Sequence, residues 1–149
     1  MKRFLLPILS GVAAAITIAM LGYAENMQPE LVFLMAPFGA TAVLVFGIPE
    51  SPLARPKNVI FGHLLTAFIG VAFSQYFEIS ALSLAAATGL AITGMLLTKT
   101  THPPAGANPI LIMLAGESWG FLLSPVLSGT IAIVLMGIVH QKLRQRLTA

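Results

Sequence analysis

The side chains of this chain with most to offer chemically stand in one short stretch, Thr101-His102-Pro103-Pro104-Ala105-Gly106-Ala107-Asn108-Pro109. His102 and Asn108 bring hydrogen-bond donors, while the prolines and Gly106 interrupt any helix running through them. A second stretch, Ala36-Pro37-Phe38-Gly39-Ala40-Thr41, repeats the pattern with Thr41 as its polar residue. Donors beside a helix start suit an anion, because a helix N-terminus offers unpaired N–H groups and about half a positive charge. His63, on the next apolar run, is a further donor that could line the same place. No acid competes with these groups: every Glu stands at the edge of an apolar run, and there is no Asp. A cation pathway ordinarily carries an acid inside the apolar span.

The elements that must position these residues are membrane elements. The chain is 57% apolar and 9% charged, against about 25% charged in soluble domains. Its 149 residues make one transmembrane domain. Apolar runs cover residues 4–24, 31–46, 59–77, 81–98 and 119–140. A further run at 110–115 is too short to cross alone, since a spanning helix needs about 20 residues. With no cysteine, disulfides and thiolate metal sites are excluded. Lys2 and Arg3 before an apolar run also fit a cleavable leader, but the run is long for one and Gly22-Tyr23-Ala24 is a poor cleavage site. The first span is expected to be retained.

Charge sets the expected topology. Lys2 and Arg3, then Arg55 and Lys57, then Lys99, then Lys142, Arg144 and Arg146 mark alternate boundaries. Glu25 and Glu30, then Glu78, then Glu117 mark the others. Basic residues collect on the cytoplasmic side. Six crossings put all the basic residues there with both termini, whereas four crossings with the two breaks as hairpins would scatter them. The pattern favours six.

For six crossings the two broken stretches must span. Residues 31–46 as one helix reach about 24 Å, short of the roughly 30 Å core, but extended to Ala36 and helical afterwards they reach about 35 Å. Residues 100–115 are expected to be extended to Asn108 and helical from Pro109, with Asn108 as the N-cap and Thr41 its counterpart. Sliding the sequence by 67 aligns the two breaks: Pro37 meets Pro104, Gly39 meets Gly106 and Ala40 meets Ala107. The register continues through Leu44 and Leu111, Glu50-Ser51 and Glu117-Ser118, Val59 and Val126, Gly62 and Gly129, and Gly70 and Gly137. Three crossings per copy would invert the second copy relative to the first.

The expected fold is therefore an all-α membrane protein of two inverted repeats, about 4–77 and 81–140, followed by a basic cytoplasmic tail at 141–149. Each repeat has three membrane elements, and the two broken half-helices meet near the midplane, where transporters of this plan bind substrate. Substrate-lining residues are expected to be Pro37, Gly39, Ala40 and Thr41 with His102, Pro104, Gly106, Ala107 and Asn108, joined by His63. Arg55, Lys57 and Asn58 would form a cytoplasmic vestibule that concentrates anions. Gly62, Gly70, Gly89, Gly94, Gly129 and Gly137 are expected to serve close helix packing.

The run Thr101-His102-Pro103-Pro104-Ala105-Gly106-Ala107 resembles the signature of the HPP family of integral membrane proteins. Ala36 to Thr41, Ser51 to Asn58 and Gly62-His63 are similar to that family too, so the resemblance covers essentially the whole chain. Some members, in cyanobacteria and chloroplasts, are associated with nitrite transport. The resemblance implies nitrite as the anion and a bacterial inner (plasma) membrane as the location. The expectation is a nitrite or small-anion transporter or channel, a homo-oligomer in a lipid bilayer, with no cofactor, no metal, no nucleic acid and no enzymatic reaction. The alternatives are a channel for a small neutral solute and a non-transporting structural or accessory subunit. No phosphate loop marks an ATP-driven engine. A metal or catalytic site would need His63, His102 and a boundary Glu drawn together.

Overall fold

Helix α1 (Lys2–Met27) is a long apolar rod that makes few buried contacts. The computed structural model describes residues 2–28 and 31–148, so Glu30 and the side chains of Lys2 and Arg3 lie outside the described residues. Residues 31–35 are extended, and the Phe33 and Leu34 N–H groups both donate to Glu25 Oε2 at 3.1 Å. Glu25 thus supplies the partner that extended backbone would otherwise lack. Pro37 then starts α2 (Pro37–Ala42), whose continuation over Val43–Gly47 winds more widely than an α-helix.

A tight turn at Pro52–Ala54, held by the Leu53 N–H donating to Ser51 Oγ at 3.2 Å, leads to α3 (Pro56–Tyr76). Arg55 is extended, the backbone that a residue before proline favours. Helix α4 (Ala81–Leu97) opens on a reciprocal cap between Ser80 and Ser83. It closes with Lys99 left-handed at φ 55° and the Thr100 N–H reaching back 2.9 Å to the Met95 carbonyl, a position glycine usually takes.

A 3-10 turn over Pro103–Ala107 runs into α5 (Asn108–Ala115), which ends on left-handed Gly116. Trp119–Leu122 and Leu123–Leu127 are irregular turns with a cis Ser124–Pro125 bond, followed by α6 (Ser128–Thr148). No strand occurs among the described residues. Three helical segments, Phe4–Met27, Pro56–Tyr76 and Trp119–Leu147, have the length and apolar composition to cross a membrane. The chain is an integral membrane protein of helices.

Two local expectations need correction. The second break turns helical at Pro103, not Pro109: φ near −65° at Pro103 and Pro104 is compatible with a helical turn, which the Ala105 N–H closes on the His102 carbonyl at 3.0 Å. Asn108 is consequently the first residue of α5, preceded by Ala107 with no side-chain cap, and Thr41 lies within α2. The apolar run at 119–140 is interrupted at Ser124, which has non-helical backbone ahead of Pro125. Lys142, Arg144 and Arg146 lie on the last turns of α6.

Packing centres on α3, which lies against both α4 and α5, while α1 packs on α6 and on Val43–Gly47. Glycines set the closest approaches. A Cβ on Gly62 would stand 2.8 Å from the Thr100 carbonyl oxygen, and one on Gly70 would stand 2.9 Å from Pro109 Cα. Gly129 lies in the same way against the Phe38 ring and the Phe33 carbonyl, and Gly137 against Val45.

Polar contacts tie the ends of the elements. Arg144 pairs with Glu50 at 3.2 Å, Gln141 Nε2 donates to the Pro49 carbonyl at 3.2 Å, and Asn58 Nδ2 donates to the Thr101 carbonyl at 2.8 Å. Elsewhere Gln75 Nε2 donates to the Glu117 carbonyl at 3.1 Å, and the Ser124 hydroxyl donates to the Val32 carbonyl.

Candidate functional site

Five of the wholly buried polar side chains, Thr41, His63, Thr66, His102 and Asn108, gather in one place. Thr41 comes from α2, His63 and Thr66 from α3, His102 from the stretch before Pro103, and Asn108 from α5. A buried polar group left without a partner costs about 1–3 kcal/mol, and these residues meet most of that need from one another and from backbone carbonyls. His63 Nε2 lies 2.8 Å and His102 Nε2 3.0 Å from Thr41 Oγ1. His102 Nδ1 is 2.8 Å from the Leu53 carbonyl oxygen. Asn108 Nδ2 is within 3.0 Å of His63 Nδ1, 3.0 Å of Thr66 Oγ1 and 3.1 Å of the His63 carbonyl oxygen.

Partner types assign the hydrogens. A carbonyl oxygen only accepts, so His102 carries its hydrogen on Nδ1, and the Asn108 group facing the His63 carbonyl is the NH₂. With both imidazoles neutral, His102 Nε2 is then an acceptor and takes the Thr41 hydroxyl hydrogen. Thr41 Oγ1 accepts from His63 Nε2–H, and His63 Nδ1 accepts from Asn108. Donation runs one way, from Asn108 to His63 to Thr41 to His102 to Leu53. Thr41 has a second acceptor in reach, the Pro37 carbonyl at 3.2 Å. Asn108 Oδ1 has no hydrogen-bond partner.

Tertiary packing holds these atoms in place. Gly62, one residue before His63, lets α3 come within 3.0 Å of His102 Cβ, as counted from an added Cβ. The Phe38 ring meets His63 edge-on at 5.5 Å, and the two imidazole rings lie 5.0 Å apart. No carboxylate contacts the cluster among the described residues, and no group of three metal-ligating side chains occurs among them. The α3 members of the cluster, His63 and Thr66, stand close to the middle of that helix.

The expected lining residues divide into three groups. Thr41, His63, His102 and Asn108 are brought together as described. Pro37, Ala40, Pro104 and Ala107 line an open cleft of about 740 Å³ on the outer side of the two breaks, with Ala36 and Pro103 beside them. Gly39 opens instead onto a cavity of about 800 Å³ between α1 and α2, and Gly106 is half-buried with nothing within 4 Å of an added Cβ. Arg55 and Lys57 are exposed at the start of α3, whereas Asn58 is spent on the Thr101 carbonyl.

The backbone donors expected to meet an anion are already paired. The Phe38 N–H donates to the Met35 carbonyl and the Gly39 N–H to the Ala36 carbonyl, and on the other break the Ala105 N–H donates to the His102 carbonyl. Side chains, rather than helix starts, make this site. Sequence reasoning missed Thr66, although it stands one helical turn from His63 on the same face. It also missed the Leu53 carbonyl, which no side-chain pattern could reveal.

Residues 2–148 match the family model described as HPP, transmembrane region. The chain is 37% identical over 139 residues to a transmembrane protein of Dictyostelium discoideum, a match covering 88% of this chain and 45% of that relative. A second transmembrane protein of the same organism is 33% identical over 142 residues, covering 88% of this chain and 49% of the relative. The chain thus spans about half the length of these curated relatives. No solved structure matches it.

Proposed function

This chain belongs to the HPP transmembrane family, and from that premise we propose that it carries a small monovalent anion, nitrite foremost, across the membrane between two inverted halves. The observation that carries this reading is the buried cluster itself. It holds two imidazoles, an amide and two hydroxyls with no carboxylate in contact, and both broken segments contribute to it. A site of that composition suits a negative guest, since donors line it and no carboxylate does. Its complete burial supports alternating exposure to the two sides rather than an open pore.

Support for the inverted halves comes from contacts that recur with the partners exchanged. Gly62 approaches the Thr100 carbonyl, and Gly129, its counterpart 67 residues on, approaches the carbonyl of Phe33, the counterpart of Thr100. Gly70 approaches Ile112, and Gly137 approaches Val45, again counterparts. Exchange of this kind is what a two-fold axis produces. The outer cleft agrees, being lined by the counterpart pairs Ala36 and Pro103, Pro37 and Pro104, and Ala40 and Ala107. Six crossings are supported by end contacts. Glu50 meets Arg144 and Asn58 meets Thr101 toward the basic end, while Gln75 meets Glu117 toward the acidic end.

The test is flux from proteoliposomes, with nitrite set against nitrate, formate and chloride. Work well above the pKa of nitrous acid keeps leakage of the neutral acid low. Saturable nitrite flux that falls at least about tenfold in His102→Ala, with the variant still folded, is the expected result. Flux equal to protein-free vesicles overturns the reading and leaves an accessory subunit.

A further inference from the structure

The hydrogen-bond chain has an asymmetry that the transport of an anion alone does not require. Both imidazole Nε2 atoms converge on one oxygen, Thr41 Oγ1, at 2.8 and 3.0 Å. In the neutral cluster only His63 donates toward that point. His102 presents a lone pair there, because its hydrogen is committed to the Leu53 carbonyl. An anion beside the Thr41 hydroxyl would therefore face one N–H and one repelling lone pair turned toward that point. A single proton removes the conflict.

Resting on the anion-transport reading above, we propose that His102 Nε2 is the binding site of a proton that travels with the anion, with the Thr41 hydroxyl turning to the Pro37 carbonyl as the proton arrives. The step balances simply. A proton from water adds to the Nε2 lone pair, and the Thr41 O–H exchanges its bond to Nε2 for the Pro37 carbonyl, 3.2 Å away. No covalent bond to carbon changes. Thr41 Oγ1 then accepts from both imidazoles and donates once, which fills its hydrogen-bonding capacity.

His63 is the poorer choice. Its Nδ1 faces the Asn108 NH₂, whose orientation is fixed by the His63 carbonyl, so a proton on Nδ1 would set donor against donor. His102 gains a second donor without displacing any partner.

The surroundings tie the proton to the anion. Of the elements packed against residues 102–107, α2, α4 and α5 carry no ionisable side chain. Helix α3 brings His63 and, at its start, Lys57. The Pro52–Ala54 turn is followed by Arg55, α4 is followed by Lys99, and Glu50 is held by Arg144. An imidazolium there has no carboxylate partner among the described residues. A buried unpaired charge is strongly disfavoured, so the anion itself must supply the counter-charge. Each then binds better in the presence of the other.

The experiment is ¹⁵N spectroscopy of histidine-labelled full chain in lipid bilayers, titrated from about pH 8 to about pH 5 with and without nitrite, run beside the flux assay. The expected spectra show His63 as the Nε2–H tautomer and His102 as Nδ1–H at the alkaline end. His102 should become imidazolium on acidification, with nitrite moving its midpoint up by at least about one pH unit, a tenfold coupling. Thr41→Val should abolish that nitrite-dependent shift and Thr41→Ser should restore it. Nitrite flux with His102 neutral throughout, or with His63 taking the proton, overturns the proposal and leaves anion transport standing. A nitrite-independent midpoint also overturns the coupling. Protonation of His102 as described, in a protein that moves no anion, would keep the proton site and remove the transport reading.

Discussion

Asn108 does at the level of one side chain what no local motif would suggest. Placed by its backbone as the first residue of α5, it sends its NH₂ sideways to α3 and so fixes the tautomer of His63. Asn108→Leu keeps the volume and removes the donors. It should destabilise the protein by about 1–3 kcal/mol, read as thermal unfolding in detergent. Asn108→Asp separates chemistry from folding, because the carboxylate can accept a hydrogen from His63 Nδ1 once the imidazole changes tautomer. The variant should stay folded and lose anion flux, since a negative charge then occupies the site. Undiminished nitrite flux in Asn108→Asp would place the pathway elsewhere.

Among the elements, glycine positions separate packing from open space. Gly70→Val must push against Pro109 and Ile112, which stand 2.9 and 3.3 Å from an added Cβ, so α3 and α5 should part at a cost of about 1–3 kcal/mol. Gly39→Ala and Gly106→Ala meet nothing within 4 Å and should leave stability within about 0.5 kcal/mol of the parent. Paired unfolding curves check both, and a larger loss in Gly106→Ala than in Gly70→Val would reverse the assignment. The sequence had both kinds of glycine in view but could not rank them. Gly62, Gly70, Gly94, Gly129 and Gly137 are packed as expected, while Gly89 has open space around it. The extended-then-helical course of residues 31–47 was also legible, since Pro37 announces the helix start. The second break began earlier than expected: proline's fixed φ serves an extended run and a tight turn alike, so the sequence could not choose between them. The donor chain was out of reach, since Thr41, His63 and His102 meet only through folding contacts across 22 and 61 residues. Polar side chains inside apolar runs could be flagged from sequence, but their partners could not.

At the scale of the molecule, charge and contact agree on two chemically different ends. Arg55, Lys57 and Lys99 flank segments joined by the Asn58 contact to Thr101, and Arg144 meets Glu50 nearby. The chain has no cysteine, so single substitutions report without background. Cysteines at Lys57 and Lys99 should be protected from an impermeant reagent applied outside intact cells, and cysteines at Glu25 and Glu117 should be labelled. Labelling at Lys57 from outside would exclude six crossings with a cytoplasmic basic end.

The exchanged glycine contacts also govern the order in which the protein can be made. Helix α3 finds its main partner in α5, and Val45 finds Gly137 only in α6. A ribosome adding about 5–20 residues per second needs seconds to go from one to the other. Until then Gly62, Gly70 and Phe38 lack the surfaces of the later residues against which they pack. Residues 1–79 made alone should therefore insert yet remain protease-sensitive, and supplying residues 80–149 as a separate chain should restore protection. A first half that is already resistant by itself would mean that each half completes its own packing. The molecule is better regarded as one long pause followed by a single closure.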